Sequence, residues 1–175
     1  QISGGSLLLL LMLTAICSII LGMGMPTTAV YIILAVLAAP ALIKAGIAPM
    51  AAHLFVFYFG CLSMITPPVA LAAFAGASLA GAPPMKTGFA ACRIGLTGFI
   101  VPFMFAFGPA LILEDSLINI TIACTTAMIG IWALATSLEG YIFRSFPWWQ
   151  RIIPFVAALL LIKPGMATDL VGMSL

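Results

Sequence analysis

The spacing of its charges constrains this chain more than anything else in it. There are ten Asp, Glu, Lys and Arg residues among 175, and long stretches have none. Residues 1–43 carry no charged side chain, 45–85 carry none beyond a potential charge on His53, and 94–113 and 116–138 are empty too. A soluble domain draws about a quarter of its residues from these four types. Here the share is 6%, against 65% hydrophobic residues. Too few polar side chains exist to clothe a water-facing exterior. Soluble enzymes, nucleic-acid binders and disordered tails are excluded, and the surroundings must be a lipid bilayer. A net charge of +2 calls for no nucleic acid or acidic partner. Cys17, Cys61, Cys92 and Cys124 lie far apart with no metal-ligand spacing, and read as small buried hydrophobes. Only helices or closed barrels satisfy their backbone in lipid, and apolar runs of this length are helical. The expected fold class is all-α and polytopic.

A crossing helix needs about 20 apolar residues. The apolar stretches are 6–21, 27–43, 48–80 (broken near 63–68), 88–112, 117–138 and 152–162. Residues 1–25 lack the cationic leader of a secretory signal. The chain opens on Gln1 and enters a span almost at once, so 1–175 is read as a single membrane domain, a fragment of a longer protein. If 48–80, 88–112 and 117–138 each cross once, Lys86, Arg93, Arg144 and Arg151 share one side. Lys44, Glu114 and Asp115 fall on the other. The positive-inside rule then puts the 81–93 and 139–151 connections in the cytoplasm, with Tyr141, Trp148 and Trp149 as interfacial anchors. The 6–43 unit enters and leaves from the outer side, and charge counting allows either two crossings or a re-entrant hairpin. Residues 139–175 form a cytoplasmic connection and a short C-terminal helix, whose apolar part either lies at the interface or begins a span.

Two places contradict a smooth helix. One is Gly22-Met23-Gly24-Met25-Pro26-Thr27-Thr28, and the other runs from Gly60 through Ser63, Met64 and Thr66 to Pro67 and Pro68. Proline has no N–H and clashes with the carbonyl four residues back. Pro67 and Pro68 therefore free the carbonyls of Ser63 and Met64, and Pro26 frees that of Gly22. The residue before each proline is also pushed out of helical geometry. An unsatisfied backbone group in lipid costs several kcal/mol, so these carbonyls need partners. After each break a helix restarts, with Thr27 or Thr28 expected to cap 29–43 and Thr66 to cap the helix opening at the prolines. Two readings stand at this point. Either break can be a proline kink satisfied by neighbouring helices. Taken together, paired interrupted helices point to a secondary transporter's binding site, where carbonyls hold Na⁺ and helix N-termini face an anion.

At these residues the sequence resembles a known family. The run from Leu21 to Ala29, the Tyr31–Ile43 stretch ending in Ala38-Ala39-Pro40-Ala41-Leu42-Ile43, and the segment Phe57–Phe74 are similar to the large membrane subunit of tripartite ATP-independent periplasmic (TRAP) transporters. The tail, with Leu138 to Arg144, Trp148, Trp149 and Lys163 to Asp169, resembles the TAXI-associated type, in which small and large membrane subunits are fused. The resemblance implies a sodium-coupled, elevator-type importer in a bacterial or archaeal cytoplasmic (inner) membrane. A periplasmic solute-binding protein would deliver a carboxylate-bearing substrate. The family's large subunit holds two inverted repeats, each with a re-entrant hairpin and an interrupted helix. This chain would be the second repeat, its C-terminal half, with the hairpin at 6–43 (tip 22–28) and the interrupted helix at 48–80 (break 60–68). Its missing partners are the first repeat and the small-subunit helices. Carried over, the resemblance gives Gly22, Gly24, Met25, Thr27, Gly60, Ser63, Met64 and Thr66 as Na⁺ ligands. It gives Thr27, Thr28, Thr66, Pro67 and Pro68 as the substrate's surroundings. No other cofactor is implied, and hard cations prefer oxygen ligands of this kind. Neither break supplies an arginine for the substrate.

Other residues carry weaker signals. His53 allows a proton relay or a packed neutral imidazole. Arg93 reads as a snorkelling side chain rather than a substrate ligand. Glu114-Asp115 reads as a solvated outer loop, and the ten methionines fill gaps. An intramembrane enzyme would need a nucleophile with its base or paired carboxylates, and neither G-x-S-x-G nor H-E-x-x-H occurs. The remaining alternative is a structural membrane subunit without any ion or substrate site, in which the Thr66-Pro67-Pro68 loop would tolerate substitution.

Overall fold

The computed structural model describes residues 6–141 and 147–162, and among them every regular element is helical. Arg144 and the Lys163–Asp169 tail, both used in the sequence reading, lie outside the described residues. The chain divides into two compact units, 1–106 and 107–175.

The first unit opens with α1 (Leu7–Gly22), whose first turn is capped by Ser6 Oγ accepting the Leu9 N–H at 3.5 Å. A tight turn at 23–26 leads into α2 (Thr27–Leu37) and α3 (Ala39–Lys44). They part at Ala38 because Pro40 has no N–H for the Val36 carbonyl. Together 27–44 make an 18-residue stretch long and apolar enough to cross a membrane. Next come α4 (Pro49–Leu62), a 3-10 turn at 63–65 and, after an irregular link, α5 (Leu71–Ala80). At about 1.5 Å per residue, α4 and α5 span only about 21 and 15 Å, each short of a bilayer's hydrocarbon core. A Schellman motif at Gly81 ends α5, with the Ala82 N–H on the Ala77 carbonyl at 2.9 Å. The span that the sequence placed at 88–112 begins earlier and comes in pieces. These are α6 (Pro84–Ile94), a 3-10 stretch at 95–99 and α7 (Val101–Phe107). The 24 residues of 84–107 are again apolar enough to cross.

Both arms of the first hairpin pack on α4, which is the core of this unit. Leu11, Leu34, Leu42, Val56, Phe55 and Phe59 are fully or almost fully buried there. Phe55 and Phe59 also meet Phe103 at ring-centroid distances of 5.3 and 5.8 Å, which ties α4 to the 95–107 segment. His53 lies in this packing rather than alone. Its Nδ1 is 3.3 Å from the Tyr31 hydroxyl, and Tyr31 stands edge-on to both His53 and Phe57. That arrangement packs the imidazole between α2 and α4.

In the second unit, Ser116 caps α8 (Leu117–Glu139) by accepting the Asn119 N–H at 3.4 Å. A 3-10 turn at 148–151 precedes α9 (Ile152–Ile162), which lies along α8. Ser137 Oγ donates to the Arg151 carbonyl at 2.7 Å and fastens the turn to the helix. The 23 residues of α8 form the third stretch able to cross.

Large apolar side chains face outward throughout, with Leu79 92% and Leu117 82% exposed. In lipid that costs nothing, because acyl chains are as apolar as leucine. The same reasoning corrects the expectation for the cysteines. Cys17 is exposed and the other three are half-buried, since a small hydrophobe gains nothing by facing inward here.

Candidate functional site

The two breaks lie against each other. α1 and α4 run side by side with their C-terminal ends together, and Gly22, the last residue of α1, meets the last turn of α4. A methyl group added at Gly22 would sit 2.5 Å from Ser63 Oγ, 2.8 Å from Ser63 Cβ and 3.2 Å from the Gly60 carbonyl oxygen. Only a residue without a side chain fits. Beyond it the tip turns through Gly24, at φ +80°, where a Cβ would stand 3.7 Å from Val69 Cγ1 past the prolines. The contact therefore joins Gly22, Gly60 and Ser63, with Gly24 reaching the far side of the break.

A second set of close approaches holds the break from another side. A Cβ on Gly88 of α6 would lie 3.2 Å from Phe74 Cε1 and 3.4 Å from Pro67 Cγ, and one on Gly95 would lie 2.7 Å from Ile65 Cδ1. The peptide between Pro67 and Pro68 is cis. Ala70, fully buried, takes φ +25° and ψ +53° to turn the chain into α5. Such a conformation in a non-glycine residue persists only where surrounding packing over-determines it.

Hydrogen bonding differs from the sequence expectation in two respects. The carbonyls of Ser63 and Gly22 are not left free: Ser63 O accepts the Thr66 N–H at 3.2 Å and Gly22 O accepts the Met25 N–H at 3.4 Å. Each still has a second lone pair. The threonine caps do not form either. α2 starts at Thr27 itself with Pro26 in the capping position, and α5 starts at Leu71, past the prolines, with Ala70 there. Thr66 is used otherwise. Its N–H has turned to Ser63, so the Leu62 carbonyl loses its usual donor four residues on, and Thr66 Oγ1 replaces it at 2.7 Å. Ser63 Oγ likewise donates to the Gly60 carbonyl at 2.6 Å. Both hydroxyls thus commit their protons and keep only lone pairs to offer.

The remaining candidates are arranged less tightly. Met25, Thr27, Met64, Thr66 and Pro67 are half-buried, and Thr28 and Pro68 are exposed. No hydrogen bond among the described residues ties Thr27 or Thr28 to the break. The dipole of α2 still brings its positive end to this place. Ser18, one turn before Gly22, was not among the sequence candidates. It is fully buried, and its hydroxyl has no hydrogen-bond partner among the described residues. Its signal was available in the spacing to Gly22, but a single serine in an apolar helix is usually bonded back to its own backbone. No three His, Cys, Asp or Glu side chains gather among the described residues.

A profile described as tripartite ATP-independent periplasmic transporter, DctM component, matches residues 1–120. The chain belongs to that family. The DctM match takes in the hairpin tip and the break, and assigns the chain to a family of membrane transporters rather than of enzymes. With three stretches able to cross a membrane among the described residues, it is a multi-pass membrane component of a TRAP-type system. Neither curated proteins nor solved structures include one that matches this DctM chain.

Proposed function

We propose that the chain is part of a sodium-coupled importer of organic anions, carrying the second inverted repeat of an elevator-type permease in a bacterial or archaeal inner membrane. The observation that carries this reading is the contact of Gly22 with Gly60 and Ser63, which sets two interrupted backbones side by side. Its chemistry fits a hard cation. The donors are oxygens alone, from the Gly22, Gly24, Met25, Gly60 and Met64 carbonyls and the Ser63, Thr66 and Thr27 side chains, with no carboxylate among them. The hydroxyls of Ser63 and Thr66 already donate to carbonyls, so toward the site they act as acceptors.

The anion belongs next to that cation, at the N-terminal end of α2 and along the link between the break and α5. Thr27, Thr28, Thr66, Pro67 and Pro68 form its surroundings. The helix dipole and the bound cation together offset its charge. Sealed by a re-entrant hairpin, such a site can move with its cargo. A periplasmic solute-binding protein hands over the substrate, and the first repeat and small-subunit helices, in the fused arrangement, complete the carrier.

The test is uptake of a radiolabelled carboxylate by the complete transporter in vesicles, with its binding protein outside. An inward Na⁺ gradient is expected to drive accumulation, and K⁺ or a proton gradient alone to leave it at background. Equal uptake under all three gradients excludes the sodium reading. Sodium-driven uptake that survives unchanged in Ser63→Ala and Thr66→Val excludes this site and leaves the breaks as kinks.

A further inference from the structure

Ser18 differs from six other helical hydroxyls of the chain. Ser78, Thr87, Thr121, Thr125, Thr126 and Thr136 each donate to a carbonyl three or four residues earlier, at distances of 2.8 to 3.2 Å. That is how a hydroxyl satisfies itself in an apolar helix. Ser18 makes no such bond, although it is fully buried. A buried hydroxyl without a partner is rare, and each instance calls for an unseen partner or a functional reason.

Its position supplies the reason. The buried stripe of α1 is Leu11, Thr14, Ala15, Ser18 and Gly22, and this face meets α4. Ser18 precedes Gly22 by four residues, so it lies on the same face, about 6 Å lower at 1.5 Å per residue. Gly22 itself touches Ser63 Oγ and the Gly60 carbonyl. An ion held at the tip lies more than one metal–oxygen bond from a hydroxyl a full helical turn away, and a bridging water, about 2.8 Å from its hydrogen-bond partner, extends that hydroxyl's reach.

We propose that Ser18 is a positioning residue for the cation site: it holds a water that serves as one of the ion's ligands at the Gly22–Ser63 contact. Ser18 donates its proton to the water oxygen or accepts from it, and the water turns a lone pair to the ion. This rests on the sodium reading and extends it to a residue outside the break motifs. It also explains why the hydroxyl stays off its own helix, since a bond back to Thr14 would turn it away from the tip.

The experiment uses the complete transporter with its binding protein in vesicles and compares the native protein with Ser18→Ala, Ser18→Cys and Ser63→Ala. Initial uptake is titrated with Na⁺, and thermal unfolding of the same preparations is followed with and without Na⁺. Loss of a residue that orients a metal ligand costs about tenfold in affinity or more. Ser18→Ala is therefore expected to raise half-saturating Na⁺ about tenfold, keep the maximal rate, and shrink the Na⁺-induced rise in unfolding temperature. Ser18→Cys, which retains a weak donor, falls between. A merely structural Ser18 gives the opposite pattern: removing an unpartnered hydroxyl leaves the Na⁺ titration unchanged and unfolding unaltered or later. That result overturns the proposal when Ser63→Ala shifts, and so does a Ser18→Ala shift with Ser63→Ala unshifted. Native uptake indifferent to Na⁺ overturns the sodium reading itself, and this proposal with it.

Discussion

Single side chains decide how closely the two breaks approach. Gly22 has no room for a methyl group, because Ser63 Oγ would lie 2.5 Å from it and the Gly60 carbonyl 3.2 Å. Gly22→Ala must rotate Ser63 off its 2.6 Å bond to Gly60 or separate the two helices. Overpacking of this kind costs about 1–3 kcal/mol. We expect Gly22→Ala to insert normally but to need more Na⁺ for half-maximal uptake, measured by a sodium titration of initial rates. An unshifted titration would show that the tip and break do not act together. Thr66→Val tests a different bond. It removes the donor that replaces the missing helix bond at Leu62, so sodium dependence weakens while the amount of protein in the membrane, read by immunoblot, stays the same.

Helices and turns show which parts of the architecture are written locally. Proline and glycine act on their own neighbourhoods, so the breaks at Pro26 and at Pro67-Pro68 were legible in the sequence. The division of 84–107 had its signals too, in Gly95, Gly98 and Pro102, but the apolar composition masked them. Where α5 resumes was not legible. Nothing in the side chain of Ala70 announces φ +25°, which the packing around it imposes. The same holds for Thr66, whose hydroxyl serves a carbonyl orphaned by the 3-10 turn instead of capping a helix. The start of α8 gives a test outside the membrane. Asp115 Oδ1 accepts the Ser116 N–H at 2.6 Å and the Asn119 side-chain amide at 3.0 Å. These bonds hold its carboxyl below the ordinary value of 3.8. A depressed folded value means the stabilisation is present above the unfolded value and is lost as pH falls through the folded one. Protection of the Leu117–Asn119 amides, taken against their intrinsic exchange rates at each pH, should therefore fall only in that acid range. In Asp115→Ala it should be low throughout, and native protection unchanged through the acid range would remove the cap.

Across the whole molecule, charge sets the orientation. On the positive-inside reading proposed from the sequence, Lys86 and Arg93, in the helix that opens the 84–107 stretch, would face the cytoplasm and Lys44 the outside. A membrane-impermeant amine reagent applied to intact cells should modify Lys44 and spare Lys86 until the membrane is opened. Reversed labelling would turn the hairpin over and place its entrance on the wrong face for a periplasmic donor. The fold class was readable because lipid leaves a backbone so few options. That the tip at 22–28 and the break at 60–68 face each other was implied by the family resemblance alone, since no local rule reports that Gly22 stops beside Ser63. The bonds at that contact have a further consequence. With their hydrogens turned back into the helix, Ser63 and Thr66 present only negative dipole ends, so on the sodium-coupled reading proposed above an anionic substrate would meet repulsion there until the cation had arrived. On that reading, the order of arrival would follow from the way two small side chains face.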